Sequence, residues 1–339
     1  MAQHPTYAAE QRAAQTKVVN ALRLLLLMIV GVMALGAGVR AMDAGLSCPD
    51  WPLCFGKIVP DFHPAVWFEF VHRAYAGLVA LLFFWICYRI FFHKEARHFF
   101  LEAKRAAVAG FIFLILQILM GGLTVLFLVK WIIVTSHLML AILFFCSVLW
   151  MLFAIRPQVE TSDGPAPGIL RNLAACFALA TFVQIFIGGV VASTYAGSIC
   201  VDWPLCGGQW VPTWEGAIGL QIIHRFFAYT LALALFMFAV VLHVMKMRRS
   251  PKWLTEQLVS LSRWSAVMVL AQVLVGVANL VFIMPPVVTV LHQSVAGALF
   301  AINVRFFFVT RKLCAGDDVA PVRSLNVTPT THALGGVSG

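Results

Sequence analysis

The sequence predicts an all-α integral membrane protein of eight transmembrane helices, built as two parallel-repeat four-helix bundles with both termini cytoplasmic. Three observations predict it. Hydrophobic residues make up 61% of the 339-residue chain and charged residues only 11%, where a soluble domain carries about 25% charge. Eight apolar runs are long enough to span, since a span needs about 20 such residues. The last four runs repeat landmarks of the first four. The formal net charge of +10 would fit a nucleic-acid binder in a soluble protein. Here the basic residues cluster between apolar runs and form no stripe with interleaved aromatics, which excludes that class.

The elements follow in order. A tail, 1–17, precedes the first span, 18–39. Behind Lys17 and Arg23 this run resembles a signal-peptide core. It has a counterpart in the second half of the chain, so it is read as a retained span. Spans at 66–92, 106–128 and 131–155 complete an N-terminal half, 18–155. A linker, 156–169, contains Pro157, Gly164, Pro165, Pro167 and Gly168. Spans at 170–193, 216–245, 263–284 and 287–309 form the C-terminal half, 170–309. The tail, 310–339, shows no apolar periodicity and is expected to be disordered.

Loop charges set the orientation. Arg12, Lys17, Arg89, Lys94, Arg97, Lys104, Arg105, Lys246, Arg248, Arg249, Lys252 and Arg263 fall at one set of span ends. Arg156 and Arg171 at the linker, and Arg311, Lys312 and Arg323 after the last span, join that set. The alternate loops hold only Arg40, Lys57 and Lys130. The basic side is cytoplasmic, and the long loops near 40–65 and 194–215 face outward.

The repeat is explicit. Residues 45–54 read GLSCPDWPLC and residues 197–206 read GSICVDWPLC, offset by 152 from Cys48 to Cys200. The same offset relates His72-Arg73 to His224-Arg225 and Gly36–Val39 to Gly188–Val191. Further on it becomes 155, from His137 to His292 and from Gln117 to Gln272. Four spans per unit give both units one orientation, hence a parallel repeat about an axis along the membrane normal.

Of ten histidines, His4, His332, His93, His98, His243 and His63 lie in tails, at span ends or in a loop. His72, His137, His224 and His292 lie within spans, all roughly 10 Å below the outer edge at 1.5 Å per residue. Two imidazoles at equal depth on two helices of a bundle form an axial pair for heme iron. The competing reading is a histidine satisfied by a neighbouring helix. Four at matched depth, duplicated by the repeat, favour the heme. Zinc fits less well, because no thiolate or carboxylate cluster completes four ligands in each half. Arg73 and Arg225 would either pair with heme propionates or snorkel to headgroups.

Glu69 stands three residues before His72, on one helix face; its counterpart is Gln221. The halves therefore match in ligands and differ in one ionisable group. A carboxylate there would move protons or stabilise charge on a reacting substrate; otherwise it is an interfacial residue. The pairs Cys48–Cys54 and Cys200–Cys206 are expected as disulfides on the oxidising side. A staple or, in the first half, a redox-active thiol pair are both open. The shared Asp-Trp-Pro-Leu predicts a turn with an aromatic cap over the bundle.

Taken together, Glu69-Phe-Val-His72-Arg73, His137, the two Cys-x5-Cys loops, His224-Arg225 and His292 resemble the heme A synthase family from about residue 18 to 310. The resemblance implies an enzyme that oxidises the C8 methyl group of heme O to a formyl group, giving heme A for terminal oxidases. That takes two successive two-electron oxidations, with a hydrated aldehyde losing water. It implies that His72 and His137 hold substrate heme O, that His224 and His292 ligate a heme b cofactor, and that Glu69 is the essential carboxylate. It also implies a heme O synthase (protoheme farnesyltransferase) as partner, and a bacterial inner membrane with the heme sites toward the periplasm. A homo-oligomer is compatible with it. The rival readings are a diheme b-type cytochrome exchanging electrons with quinone, a membrane thiol oxidoreductase using Cys48 and Cys54, and a transporter of parallel repeats.

Overall fold

A computed structural model describes residues 5–92 and 101–315, with side chains from residue 12 onward. The described residues form eight α-helices: α1 (Pro5–Ala41), α2 (Pro64–Phe92), α3 (Leu101–Leu126), α4 (Trp131–Ile155), α5 (Gly168–Ser193), α6 (Gly216–Arg248), α7 (Glu256–Val281) and α8 (Pro286–Ala315). All eight are long and apolar enough to cross a membrane. In hydrocarbon every backbone polar group must be satisfied within the segment, which leaves the helix as the form an isolated span can take. Prolines open α2 and α8, where a missing N–H costs nothing. The Thr255 hydroxyl caps α7 by accepting the Leu258 N–H at 3.3 Å. The tail expected to be disordered from residue 310 is instead helical through Ala315, because Thr310 and Leu313 pack into the core; the rest of it lies outside the described residues.

Hydropathy places the spans but blurs their ends. α1 begins at Pro5 rather than near residue 18, because helix formers continue backwards and dock: Ala14, Val18 and Val19 are buried, and Gln15 donates to the Ile155 carbonyl at 2.9 Å. α3 stops at Leu126 and α7 at Val281, short of the apolar runs that contain them. The following Leu128, Val129, Ile283 and Met284 turn left-handed (φ 52°, 50°, 59° and 53°). Val129 and Met284 close these turns onto the Thr124 and Asn279 carbonyls at 2.8 and 2.7 Å. The chain must reverse within a few residues to start α4 and α8. Because the reversing residues are themselves apolar, no polarity marks the turn.

Packing links the elements in a matched pattern. α1 lies against α2, α4 and α8, while α5 lies against α6, α8 and α4. Phe83, Ile86 and Ile90 of α2, Leu22 and Leu25 of α1 and Ile142 of α4 form one fully buried core. Phe83 meets Phe144 edge-on at 5.0 Å. A second core joins Leu170, Leu242, Leu258 and Phe308. Leu27, Leu81, Leu233 and Leu274 point outward and exposed, as expected where lipid is the solvent. One seam breaks the match: α6 and α7 pack closely, whereas α2 and α3 scarcely touch. Between α2 and α3 lies an apolar space of about 350 Å³ lined by Phe84, Cys87, Tyr88, Phe91, Ala107 and Phe111.

The linker is anchored, not slack. Arg305 donates to the Pro157 and Gln158 carbonyls at 2.5 and 2.7 Å, and the Ala166 N–H to the Leu313 carbonyl at 3.1 Å.

Candidate heme-binding sites

The four histidines stand near the N-terminal ends of the even-numbered helices, at the end of the bundle that carries the two cysteine loops. His72 and His224 lie eight residues after Pro64 and Gly216; His137 and His292 lie six after Trp131 and Pro286. His72 and His137 are close enough to interact electrostatically, as are His224 and His292. The structure thus brings together the two couples expected from the sequence.

Each ring is seated against a glycine of the preceding helix. A Cβ on Gly36, Gly121, Gly188 or Gly276 would stand 3.0, 3.1, 3.1 or 2.9 Å from Cε1 of His72, His137, His224 or His292, respectively. Larger residues there would push the imidazoles away. Three rings keep a nitrogen for a ligand: Nδ1 of His72, His137 and His292 is buried without a hydrogen-bond partner. An unpaired buried nitrogen is costly, and a metal bond is one way to remove that cost. Glutamines of α3, α5 and α7 meet a nitrogen at the edge of three of the rings. Gln117 Nε2 lies 3.2 Å from His137 Nε2, Gln184 Nε2 lies 3.1 Å from His224 Nδ1, and Gln272 Nε2 lies 3.3 Å from His292 Nε2. Among the described residues no group of three His, Cys, Asp or Glu side chains could hold a metal ion.

Glu69 is buried, only 4% exposed. Its Oε2 accepts the Cys48 N–H at 2.8 Å, and its Oε1 pairs with Arg73. The carboxylate thus joins the ligand helix to the loop above it. Gln221, in the matching place, donates to the Gly197 carbonyl at 3.4 Å.

The arginines take a third course beside the two expected. Arg73 donates to the Asp50, Leu53 and Cys48 carbonyls at 2.8, 3.0 and 3.1 Å. Arg225 donates to the Leu205 and Cys200 carbonyls at 2.8 and 2.6 Å. Each ties its loop down over the histidine beside it.

Both loops close as disulfides, Cys48–Cys54 and Cys200–Cys206. Asp50 accepts the Phe55 and Gly56 N–H groups at 2.6 and 2.8 Å. Asp202 accepts those of Gly207 and Gly208 at 3.1 and 3.2 Å. The Gly56 amide holds the Asp50 carboxyl below the usual carboxylate range, and the Gly208 and Gly207 amides do the same for Asp202. The expected aromatic cap is present in the first loop, where the Trp51 indole packs on Gly122, beside the glycine that seats His137. Trp203 instead donates to the Tyr229 hydroxyl at 2.8 Å.

Of the seating glycines and the glutamines only Gly36, Gly188, Gln117 and Gln272 stand out in the sequence, as repeat landmarks; Gly121, Gly276 and Gln184 do not. Gly36 and Gly188 share the 152 offset, and Gln117 and Gln272 share the 155 offset. A glycine facing a ring looks, in sequence, like any small residue in a membrane helix.

A family model described as "Cytochrome oxidase assembly protein" (COX15-CtaA) matches residues 20–304. A protein named heme A synthase from Shouchella clausii is 32% identical over 224 residues, covering 64% of this chain and 72% of that relative. Another so named, from Shewanella oneidensis, is 27% identical over 333 residues, covering 84% and 95%. A third, from Rhizobium etli, is 29% identical over 340 residues, covering 84% and 88%.

Proposed function

The chain belongs to the COX15-CtaA family of cytochrome oxidase assembly proteins, and from that premise we propose how its two histidine couples make heme A. It is a membrane oxidoreductase that converts the C8 methyl group of heme O into a formyl group. His72 and His137 hold the substrate heme O in the first half, 18–155. His224 and His292 hold heme b in the second, 170–309. One observation carries the reading: four imidazoles, each seated so close to a glycine that an added Cβ would press on the ring, three of them with an unpartnered buried nitrogen.

Heme b supplies one-electron redox chemistry when bound. The chain's own groups do the rest. His72 and His137 orient the substrate within the bundle. The Glu69 carboxylate, one turn before His72 and already an acceptor of the Cys48 N–H, takes up protons released at the reacting carbon. Arg73 and Arg225 hold the loops that roof the two sites; any remaining donor capacity serves the propionates. The disulfides act as staples for those roofs. The loop end faces the periplasm of a bacterial inner membrane, with both termini cytoplasmic, and a heme O synthase delivers the substrate.

The test is co-expression with a heme O synthase in cells lacking heme A formation, followed by chromatography of the extracted hemes. Heme A is expected with the native chain. It should fall at least about 100-fold with Glu69→Ala or His72→Ala, in the range seen for loss of an acid–base group. Pigment limited to heme b would favour the diheme cytochrome, and unchanged heme A in both variants would overturn the site.

A further inference from the structure

Each ligand helix is served by the helix before it, and the service follows a pattern. On α3, α5 and α7 a glutamine stands one turn before the ring-seating glycine: Gln117 and Gly121, Gln184 and Gly188, Gln272 and Gly276. Residues four apart share a helix face, so glycine and glutamine meet one imidazole together. The three glutamine nitrogens lie 3.1–3.3 Å from ring nitrogens. In all three, Oε1 is buried with no hydrogen-bond partner. On α1 the glycine is present as Gly36, but the residue one turn earlier is Val32. His72 alone lacks a glutamine, although its ring meets the Val32 backbone as those of His137 and His292 meet the backbones of Gln117 and Gln272.

We infer that the Gln-x3-Gly pairs are positioning devices for iron-bound imidazoles, and that Val32, which offers His72 a backbone contact but no amide side chain, leaves it the most weakly held of the four ligands. The inference rests on the reading of the four histidines as axial ligands. An imidazole bound to iron through one nitrogen carries a proton on the other. An acceptor for that N–H fixes ring plane and tautomer and raises the ring's basicity. A half-turn of the glutamine amide exchanges its nitrogen and oxygen. At Gln117 and Gln272 that turn gives the ring N–H its acceptor and the orphaned Oε1 its donor in a single bond; at Gln184 it does so in exchange for the bond Nε2 donates to the His224 carbonyl at 3.1 Å. In the second half both ligands have this support, as suits a cofactor that stays. In the first half only His137 has it. A substrate must enter and a product must leave, and a soft bond at His72 serves both.

Because Val32 and Gln184 occupy the same place in the repeat, the halves can be exchanged at one position. The full chain is purified with its hemes, and transfer to excess apomyoglobin is followed separately for heme b and for heme O plus heme A. Val32→Gln is expected to slow loss of the first-half heme about tenfold, and Gln184→Val to speed loss of heme b about tenfold, the lower range for an outer-shell partner. Gln184→Glu should restore heme b retention and lower its midpoint potential, since a carboxylate accepts the N–H more strongly; a merely space-filling role would leave the potential alone. Should Gln184→Val fail to accumulate, Gln272→Leu removes the amide facing His292 and carries the same expectation. Loss rates within twofold of native in Val32→Gln and in either glutamine deletion, with both hemes present, would overturn the inference while leaving the ligand assignment intact. A native chain that binds no heme would overturn both.

Discussion

The first and second halves share a scaffold and differ in one helix seam and one ionisable group. Both place an imidazole eight residues into one helix and another six residues into the next but one, each against a glycine. Both carry a disulfide loop closed by an aspartate and held by an arginine. The second half is braced at two places that the first leaves open. α6 and α7 pack closely, and a buried chain runs from Ser265 to Asn303 at 2.7 Å and from Asn303 to Thr181 at 2.9 Å. In the first half the matching positions are Gly110, Val148 and Ile29, α2 stands away from α3, and Glu69 replaces Gln221. The lesson is that the halves keep one grip and differ in one helix seam, one polar chain and one buried carboxylate.

The largest expected effect comes from erasing the one ionisable difference. Glu69→Gln makes the first half resemble the second, and heme A formation should fall at least about 100-fold while heme O still binds. Heme O binding is read from the pigment spectrum. Loss of bound heme O in this variant would assign Glu69 to binding, not chemistry.

Next come the cradles. Gly188→Val places a branched side chain where even a Cβ would lie 3.1 Å from the His224 ring. Heme b content should drop about tenfold or more, on the scale of losing a ligand's support, whereas heme O in the first half persists. Gly36→Val should reverse that selectivity. Equal loss of both hemes in either variant would show that the halves are not separate sites.

A smaller effect is expected from the polar chain. Asn303→Val copies the first half's Val148 and leaves Ser265 and Thr181 without their partner. Polar contacts inside membranes are worth about 1 kcal/mol, so unfolding in detergent should shift by that amount. The smallest effect lies in the loops. The Asp50 and Asp202 carboxyls are held below the usual range by loop amides. Their contribution is therefore complete above the ordinary carboxylate value and is lost as pH falls through the lower folded one. The Phe55 and Gly56 amide resonances should stay constant through neutral and mildly acidic pH and move only below the ordinary carboxylate range.

Hydropathy made all eight spans legible, because a helix in hydrocarbon must be apolar along its own length, a local property that each segment writes out. The repeat exposed the paired histidines, the loop cysteines and the Glu69/Gln221 difference by alignment alone. Three features needed the tertiary structure: the seating of each ring on a glycine, the diversion of Arg73 and Arg225 to loop carbonyls, and the parting of α2 from α3. Lipid is as apolar as leucine, so hydrophobicity cannot say which face of a helix meets which neighbour. Shape and register decide that between chains of residues far apart in sequence, and they exist only once the bundle has closed.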